Sequence, residues 1–307
     1  FEREVHHAFT GEIWHVRNRF LRVPLPECGP NSQLSSFIIE STHGTPIVMR
    51  KAAIALAPQV WSWQHFVQDA MPKIVTMLDL GLIDHSRPLL LPPPRDAIIP
   101  EILKLLNLTW ISEPRSPPSF YAEDVVIACH VPGAHPRLWR GVRHILTKTT
   151  PVLPRTYLVY VSRKNARNGR KETNYGELHE MLHKTFSGES REFTGGRLTD
   201  AIDTFAAASI IVGSHGSALL NVFFAPETAC VIEQQAKSVY LHNSNREIFH
   251  RITTQIGQKY IRVIRDDGSF DFHIAHLQRA VQACMSSPHT RLLPNVAAPA
   301  EQQNTIH

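Results

Sequence analysis

The residues of this chain whose types and spacing suit chemistry gather in its second half. Val212-Gly213-Ser214-His215-Gly216-Ser217-Ala218 closes a short apolar run, 210–212, that reads as a buried strand. It leads into Leu219-Leu220-Asn221-Val222-Phe223-Phe224, which reads as the first turns of a helix. A strand that breaks on small residues into a helix start leaves unpaired N–H groups and the positive end of the peptide dipoles, suited to an anion. Gly213 and Gly216 let a ligand approach the backbone, and His215 offers a donor or a proton relay. Taken alone, the stretch equally suits an ordinary strand-to-helix turn with a partly buried histidine.

Two further elements share its predicted sheet edge. The segment 162–171, Ser-Arg-Lys-Asn-Ala-Arg-Asn-Gly-Arg-Lys, places five cations after the predicted strand 157–161. Guanidinium groups bind phosphate bidentately, so Arg163 and Arg167 suit a diphosphate clamp. A lone basic run is more often a solvated loop; the neighbouring glycine turn reverses that preference. Glu233 ends the strand Cys230-Val231-Ile232 and suits hydrogen bonds from a ribose, or a cap or ion pair. Together the three elements describe a nucleotide-diphosphate site.

The first half offers His65 and Asp69, four residues apart on a predicted helix 62–80. The carboxylate would orient the imidazole, and such a pair can deprotonate a hydroxyl; a plain helix-surface pair fits as well. His179-Glu180-Met181-Leu182-His183 matches the zinc-hydrolase pattern H-E-x-x-H on a predicted helix. The apolar face of that helix runs through Leu178, Met181, Leu182 and Phe186, which turns both histidines to solvent. No third-ligand helix follows.

The elements that must position these residues alternate in the second half. Strands are expected at 157–161, 191–193, 210–213, 230–233 and 260–264. Helices are expected from the Asn174 cap (with Glu177 as capping box) to about 186, from a Thr199 cap to 208, and at 218–224, 243–257 and 272–285. Strand–helix alternation at this spacing means a parallel sheet covered on both faces, with ligands outside the carboxyl ends of its strands. The first half is more irregular and Pro-rich. Strands are expected near 37–40, 47–50, 89–91 and 125–128, and helices at 62–80, 100–106 and 136–147. Pro151 and Pro154 mark a domain junction. We therefore expect a first domain over 1–150, a second over 151–286 whose last helix has the option of packing back on the first, and a disordered tail over 287–307.

Composition bounds the rest. With 307 residues, 43% hydrophobic and 19% charged, the chain has ample core for two domains. No apolar run approaches the ~20 residues that span a bilayer. The chain starts at Phe1 rather than Met, so a signal or anchor ahead of it is left open. The net charge of +5 is dispersed and aromatic residues are not interleaved with basic ones, so nothing points to nucleic acid. Cys28, Cys129, Cys230 and Cys284 are scattered without a C-x-x-C pair, which leaves disulfides and free thiols both open. Asn107-Leu108-Thr109 is an N-glycosylation sequon, meaningful in a secretory chain.

In ordered combination, Ser162-Arg163, Arg167, Asn174, Leu178, Phe205, Ala208, Val212-Gly213, His215-Gly216, Leu219, Asn221, Phe224 and Val231-Ile232-Glu233 resemble the C-terminal signature of glycosyltransferase family 61. That family includes plant xylosyl- and arabinosyltransferases and animal O-linked GlcNAc-transferases of the secretory pathway. His65-x-x-x-Asp69 with Pro72 is also similar to a family pattern, and Ser217 stands where alanine is common. The resemblance implies a GT-B-like α/β fold, two Rossmann-like domains facing a cleft, with a doubly wound parallel sheet in the C-terminal one. It implies inverting transfer of xylose, arabinose or GlcNAc from a UDP-sugar to a hydroxyl of a glycan or glycoprotein, with no obligatory metal and no other cofactor. No D-x-D stands at a predicted strand end, in keeping with that. In this reading Asp69, or else His65, is the general base. Arg163, Arg167 and the turn Gly213, His215, Gly216, Ser217 hold the donor, and Asn221 and Glu233 shape the site. The resemblance further implies a Golgi or ER lumen location, with any membrane attachment through an anchor ahead of Phe1. The alternatives are a zinc hydrolase built on His179, Glu180 and His183, and a non-catalytic nucleotide- or glycan-binding module.

Overall fold

A computed structural model describes residues 4–7, 12–16, 20–23, 47–55, 60–91, 93–111, 119–128, 136–147, 157–164, 172–186, 189–236, 247–265, 271–286 and 305–306. Contacts divide the chain into two units, Phe1–Val142 and Arg143–His307.

The first unit is built on a mixed sheet. Its strands are β1 (Glu4–His7), β2 (Glu12–Val16), β3 (Phe20–Val23), β4 (Ile47–Ile54), β5 (Leu89–Leu90), β6 (Trp110–Ile111) and β7 (Ser119–Ile127), in the order β3-β2-β1-β7-β4-β5-β6. The wing β3-β2-β1 is antiparallel and joins β7 antiparallel, whereas β7, β4, β5 and β6 run parallel. This unit therefore carries a Rossmann-like parallel half and an antiparallel extension that the sequence reading did not anticipate. The expected strand 37–40 lies outside the described residues.

Between β4 and β5 runs a helical stretch in three parts: α1 (Trp63–His65), a π-helical turn (Phe66–Ala70) and α2 (Met71–Asp79). Phe66, Val67, Ala70, Met71 and Ile74 are fully buried, so this stretch presents a wide apolar face to the core. Helix α3 (Ile98–Leu105) ends at Asn107, whose φ of 54° is the left-handed conformation that asparagine tolerates after a helix. Helix α4 (Pro136–Thr147) passes through the division between the units.

The second unit is an all-parallel sheet of β8 (Tyr157–Val161), β9 (Glu189–Phe193), β10 (Ala208–Ser214), β11 (Cys230–Ala236), β12 (Lys259–Arg265) and β13 (Thr305–Ile306), in the order β13-β12-β11-β10-β8-β9. Helices α5 (Tyr175–Thr185) and α8 (Ile274–Met285) pack together over one face, where Leu158, Tyr160, Val212, Ile232 and Val263 meet Leu178, Leu182, Leu277 and Val281. Helix α6 (Leu198–Phe205), a 3-10 segment (Ser217–Phe224) and α7 (Ile248–Gln255) form a second group. Strands β8 and β10 are buried almost throughout, which is why they read as continuous apolar runs, whereas the edge strand β9 is largely exposed. A Cys230–Cys284 disulfide, with Cα atoms 5.7 Å apart, ties β11 to α8.

Several local expectations are corrected. The helix expected at 218–224 is 3-10, not α, and starts at Ser217. Thr199 does not cap α6: the helix starts at Leu198, and the Asp200 carboxylate accepts the Arg197 N–H at 2.8 Å. Asn174 stands at the start of α5 but makes no side-chain cap. Its amide instead brackets Phe272, donating to its carbonyl (2.8 Å) and accepting its N–H (3.1 Å). The buried residues of the last helix, Leu277, Ala280 and Val281, lie in the C-terminal core. The tail 287–307 lies outside the described residues apart from Thr305–Ile306, which pair with Arg262 and Val263 as an edge strand.

Candidate functional site

Strand β8 has β9 on one side and β10 on the other, so the chain leaves β8 in one direction and returns on the opposite side. In doubly wound sheets that reversal opens a crevice at the carboxyl ends of the strands. Val161 and Gly213 are in register across β8 and β10. Arg163 and His215 each follow two residues later, and so the topology alone brings them together.

Arg163 Nη1 donates to the His215 carbonyl at 2.5 Å. That approach depends on Gly216, because a Cβ there would overlap the Arg163 guanidinium. Gly213 is tight for a different reason: its Cβ would lie 3.0 Å from Val161 Cβ and 3.1 Å from Leu219 Cδ1. The His215 N–H is not available to an anion, since it extends the β10–β11 ladder to the Gln234 carbonyl at 2.8 Å. Ser217, exposed, opens the 3-10 segment, whose first internal bond runs from Leu219 N–H to the Gly216 carbonyl. The leading N–H groups of such a segment have no partner within it. Asn221 is 3% exposed, and its Nδ2 donates to the Ala218 carbonyl at 2.8 Å, bracing the turn from within.

Glu233 is fully buried and faces His215. Its Oε1 lies 2.5 Å from His215 Nδ1 and accepts Gln235 Nε2 at 3.0 Å, while Oε2 accepts the Tyr260 hydroxyl. A carboxylate at this spot fixes the imidazole with its proton on Nδ1. The ring also packs edge-on against Phe249 of α7, with centroids 5.3 Å apart. Burial, and after it the Glu233 charge, hold the Tyr260 phenol well above its ordinary value, so it stays a donor. Glu233 thus orients His215.

A second buried carboxylate, Glu172, was missed. Its Oε2 accepts the Arg163 N–H at 3.0 Å and the Tyr160 hydroxyl, and its Oε1 accepts Ser214 Oγ at 2.9 Å. Burial raises its pKa, against the pull of those hydrogen bonds. Asp271 was missed as well. It accepts Thr173 Oγ1 at 2.5 Å, the Asn174 N–H at 3.2 Å and the Thr173 N–H. Burial would raise Asp271, but these bonds hold it below its ordinary value. Arg167 lies outside the described residues.

In the first unit, His65 Nδ1 and Asp69 Oδ2 are 3.0 Å apart, with side chains 24% and 30% exposed. Both are accessible enough to meet a substrate. The π-helical turn falls on Asp69, and such turns recur at functional sites. Lys73 follows one helical turn later; burial lowers its pKa and the Asp69 charge partly restores it. The H-E-x-x-H residues behave otherwise. His179 and His183 are exposed, and Glu180 pairs with Lys184 at 2.5 Å. Among the described residues no group of three His, Cys, Asp or Glu side chains could hold a metal ion.

The family model described as Glycosyltransferase 61 matches residues 63–232, more than half of the chain. The chain belongs to this family. The matched stretch begins two residues before His65 and ends one before Glu233, so it takes in His65, Asp69, Arg163, Glu172 and the turn 213–221 but not Glu233. Membership supports glycosyl transfer as the activity, and implies in general a nucleotide-sugar donor and a glycan acceptor. No curated protein matches the chain.

Proposed function

We propose that this member of glycosyltransferase family 61 is an inverting enzyme of GT-B type. It would transfer xylose, arabinose or GlcNAc from a UDP-sugar to a hydroxyl of a glycan or glycoprotein, without an obligatory metal. The observation that carries the reading is the Arg163 guanidinium seated on the Gly216 turn at the strand-order reversal of a parallel sheet. A cation held against a helix start at that point suits a diphosphate.

In the proposed reaction the acceptor oxygen attacks the anomeric carbon as the bond from that carbon to the diphosphate oxygen breaks. The hydroxyl proton passes to Asp69, which His65 orients. Negative charge grows on the leaving diphosphate, where Arg163 stabilises it and Arg167 is proposed to join it; His215, whose Nδ1 proton is engaged by Glu233, donates there only with Nε2 protonated as well. His215 acts from a ring held by Glu233, so little reorganisation is needed. Ser217 and Asn221 complete the turn. A secretory-lumen location is supported by the Cys230–Cys284 disulfide, which persists in oxidising compartments, and by the exposed position of Asn107 in its sequon. Among the described residues no helix is long and apolar enough to cross a membrane.

Thermal stabilisation by a panel of UDP- and GDP-sugars, with and without EDTA, tests the reading. A rise in melting temperature with UDP-sugars that survives EDTA supports it. A rise that vanishes with EDTA refutes metal independence, and no rise with any nucleotide refutes the donor site.

A further inference from the structure

Glu172 is buried, ionisable and outside the reaction described above. It stands 2% exposed between the ends of the two strands that form the crevice. Its partners come from both: Tyr160 and Arg163 from β8 and the residues just after it, and Ser214 from the end of β10. All of them are donors, so the carboxylate form suits the three together. A buried donor left unpaired is costly, which makes the arrangement strongly preferred over any looser one. Arg163 is consequently held twice. Glu172 fixes its backbone N–H, and the His215 carbonyl fixes its guanidinium.

We propose that Glu172 is a positioning residue for the donor diphosphate: it clasps the ends of β8 and β10 and sets where the Arg163 guanidinium stands. The inference rests on the diphosphate reading of this site. Glu172 touches neither donor nor acceptor; it acts through Arg163. Sequence alone gives it no such role. The Tyr160 hydroxyl that marks it comes from the sheet face covered by α5, where Phe272 packs edge-on to the Tyr160 ring.

The test is calorimetric binding of inorganic pyrophosphate and of UDP to four proteins: wild type, Arg163→Ala, Glu172→Gln and the double variant. Glutamine keeps the shape but turns an amide NH2 toward donors. Arg163→Ala and Glu172→Gln are each expected to weaken binding about tenfold. The double variant is expected to bind no more weakly than Arg163→Ala alone, because residues acting through one contact are not additive. A merely structural role gives additive losses, and that result overturns the inference. Wild-type affinity in Glu172→Gln beside weakened Arg163→Ala also overturns it, while leaving the diphosphate site standing. Unchanged affinity in Arg163→Ala overturns the diphosphate reading and the inference together. Should Glu172→Gln fail to fold, Ser214→Ala decides, since it removes one donor from the same carboxylate. A severalfold loss that disappears in the Arg163→Ala background supports the role, and wild-type affinity overturns it.

Discussion

Gly216→Ala separates the site from the fold more cleanly than any other single change. Gly216 has φ 164° and ψ 168°, extended backbone that any residue adopts, so alanine meets no conformational penalty. Its methyl group collides instead with the Arg163 guanidinium, the far end of a flexible side chain. The guanidinium must swing away and lose its 2.5 Å bond to the His215 carbonyl. A hydrogen bond to a charged group contributes about 1.5–3 kcal/mol, toward the low end for a partly exposed side chain. Replacing glycine by alanine returns about 0.4–1 kcal/mol by restricting the unfolded chain. The net cost to folding is therefore about 1 kcal/mol, a drop of ~2–4 °C in melting temperature for a unit of this size. Under the proposed donor site, binding suffers more, because the displaced cation no longer faces the diphosphate. UDP affinity should fall about tenfold or more, close to the loss in Arg163→Ala. Calorimetry with UDP, alongside thermal melts of both variants, measures both numbers. A Gly216→Ala protein that melts normally and binds UDP as tightly as wild type would refute the placement of Arg163 in the donor site.

Other outcomes follow from the same geometry. Asp69→Asn should lower kcat by about 10²–10⁴-fold while leaving UDP affinity unchanged, read from steady-state kinetics beside calorimetry; a parallel loss of UDP binding would remove Asp69 from the role of base. Cys284→Ser opens a cross-link whose ends are 54 residues apart, and chain-entropy arguments put the cost at about 4 kcal/mol. Guanidinium unfolding of the variant, and of wild type with and without reductant, would expose a smaller figure. Asp271 is held below its ordinary pKa, so the folded form binds fewer protons than the unfolded chain. Its contribution is present above the ordinary aspartate range and is lost as pH falls through the lowered folded value. Asp271→Asn should accordingly flatten the acid side of the stability–pH curve, and an unaltered acid limb in urea titrations at several pH values would contradict it.

What was legible in the sequence was whatever burial writes directly into residue type. Strands β8, β10 and β11 lie in the interior of a parallel sheet, so Tyr157-Leu158-Val159-Tyr160-Val161 and Ile210-Ile211-Val212 are apolar without interruption. The glycines of the turn and the arginine after β8 were visible because close backbone approach, and in the proposed function phosphate binding, call for those types. His65 and Asp69 were visible by spacing, although the π-helical turn beneath them was not, since no residue type specifies one. Glu172 and Asp271 were illegible for a physical reason: a carboxylate in a polar segment looks the same whether it is solvated or enclosed by three donors. The pairing of Cys230 with Cys284 had no signature either, because it is set by α8 folding over β11. Strands β1 to β3 are short, and histidines and charges break the alternation that would have announced them.

Strand order also dictates when the site can exist. Strand β10 lies between β8 and β11, yet the chain reaches it only after building β9 on the far side of β8. Arg163 waits some fifty residues for the carbonyl it holds, and His215 waits for a carboxylate on a strand not yet laid down. Pairings so distant along the chain form late, after loop closure has been overcome. A partly folded or truncated C-terminal unit would retain its basic segment but have no donor pocket. A ligand that binds only the completed crevice therefore favours the finished sheet over every intermediate, by mass action. If the proposed donor site binds a sugar nucleotide, its abundance in a cell would raise the yield of folded enzyme as well as its saturation.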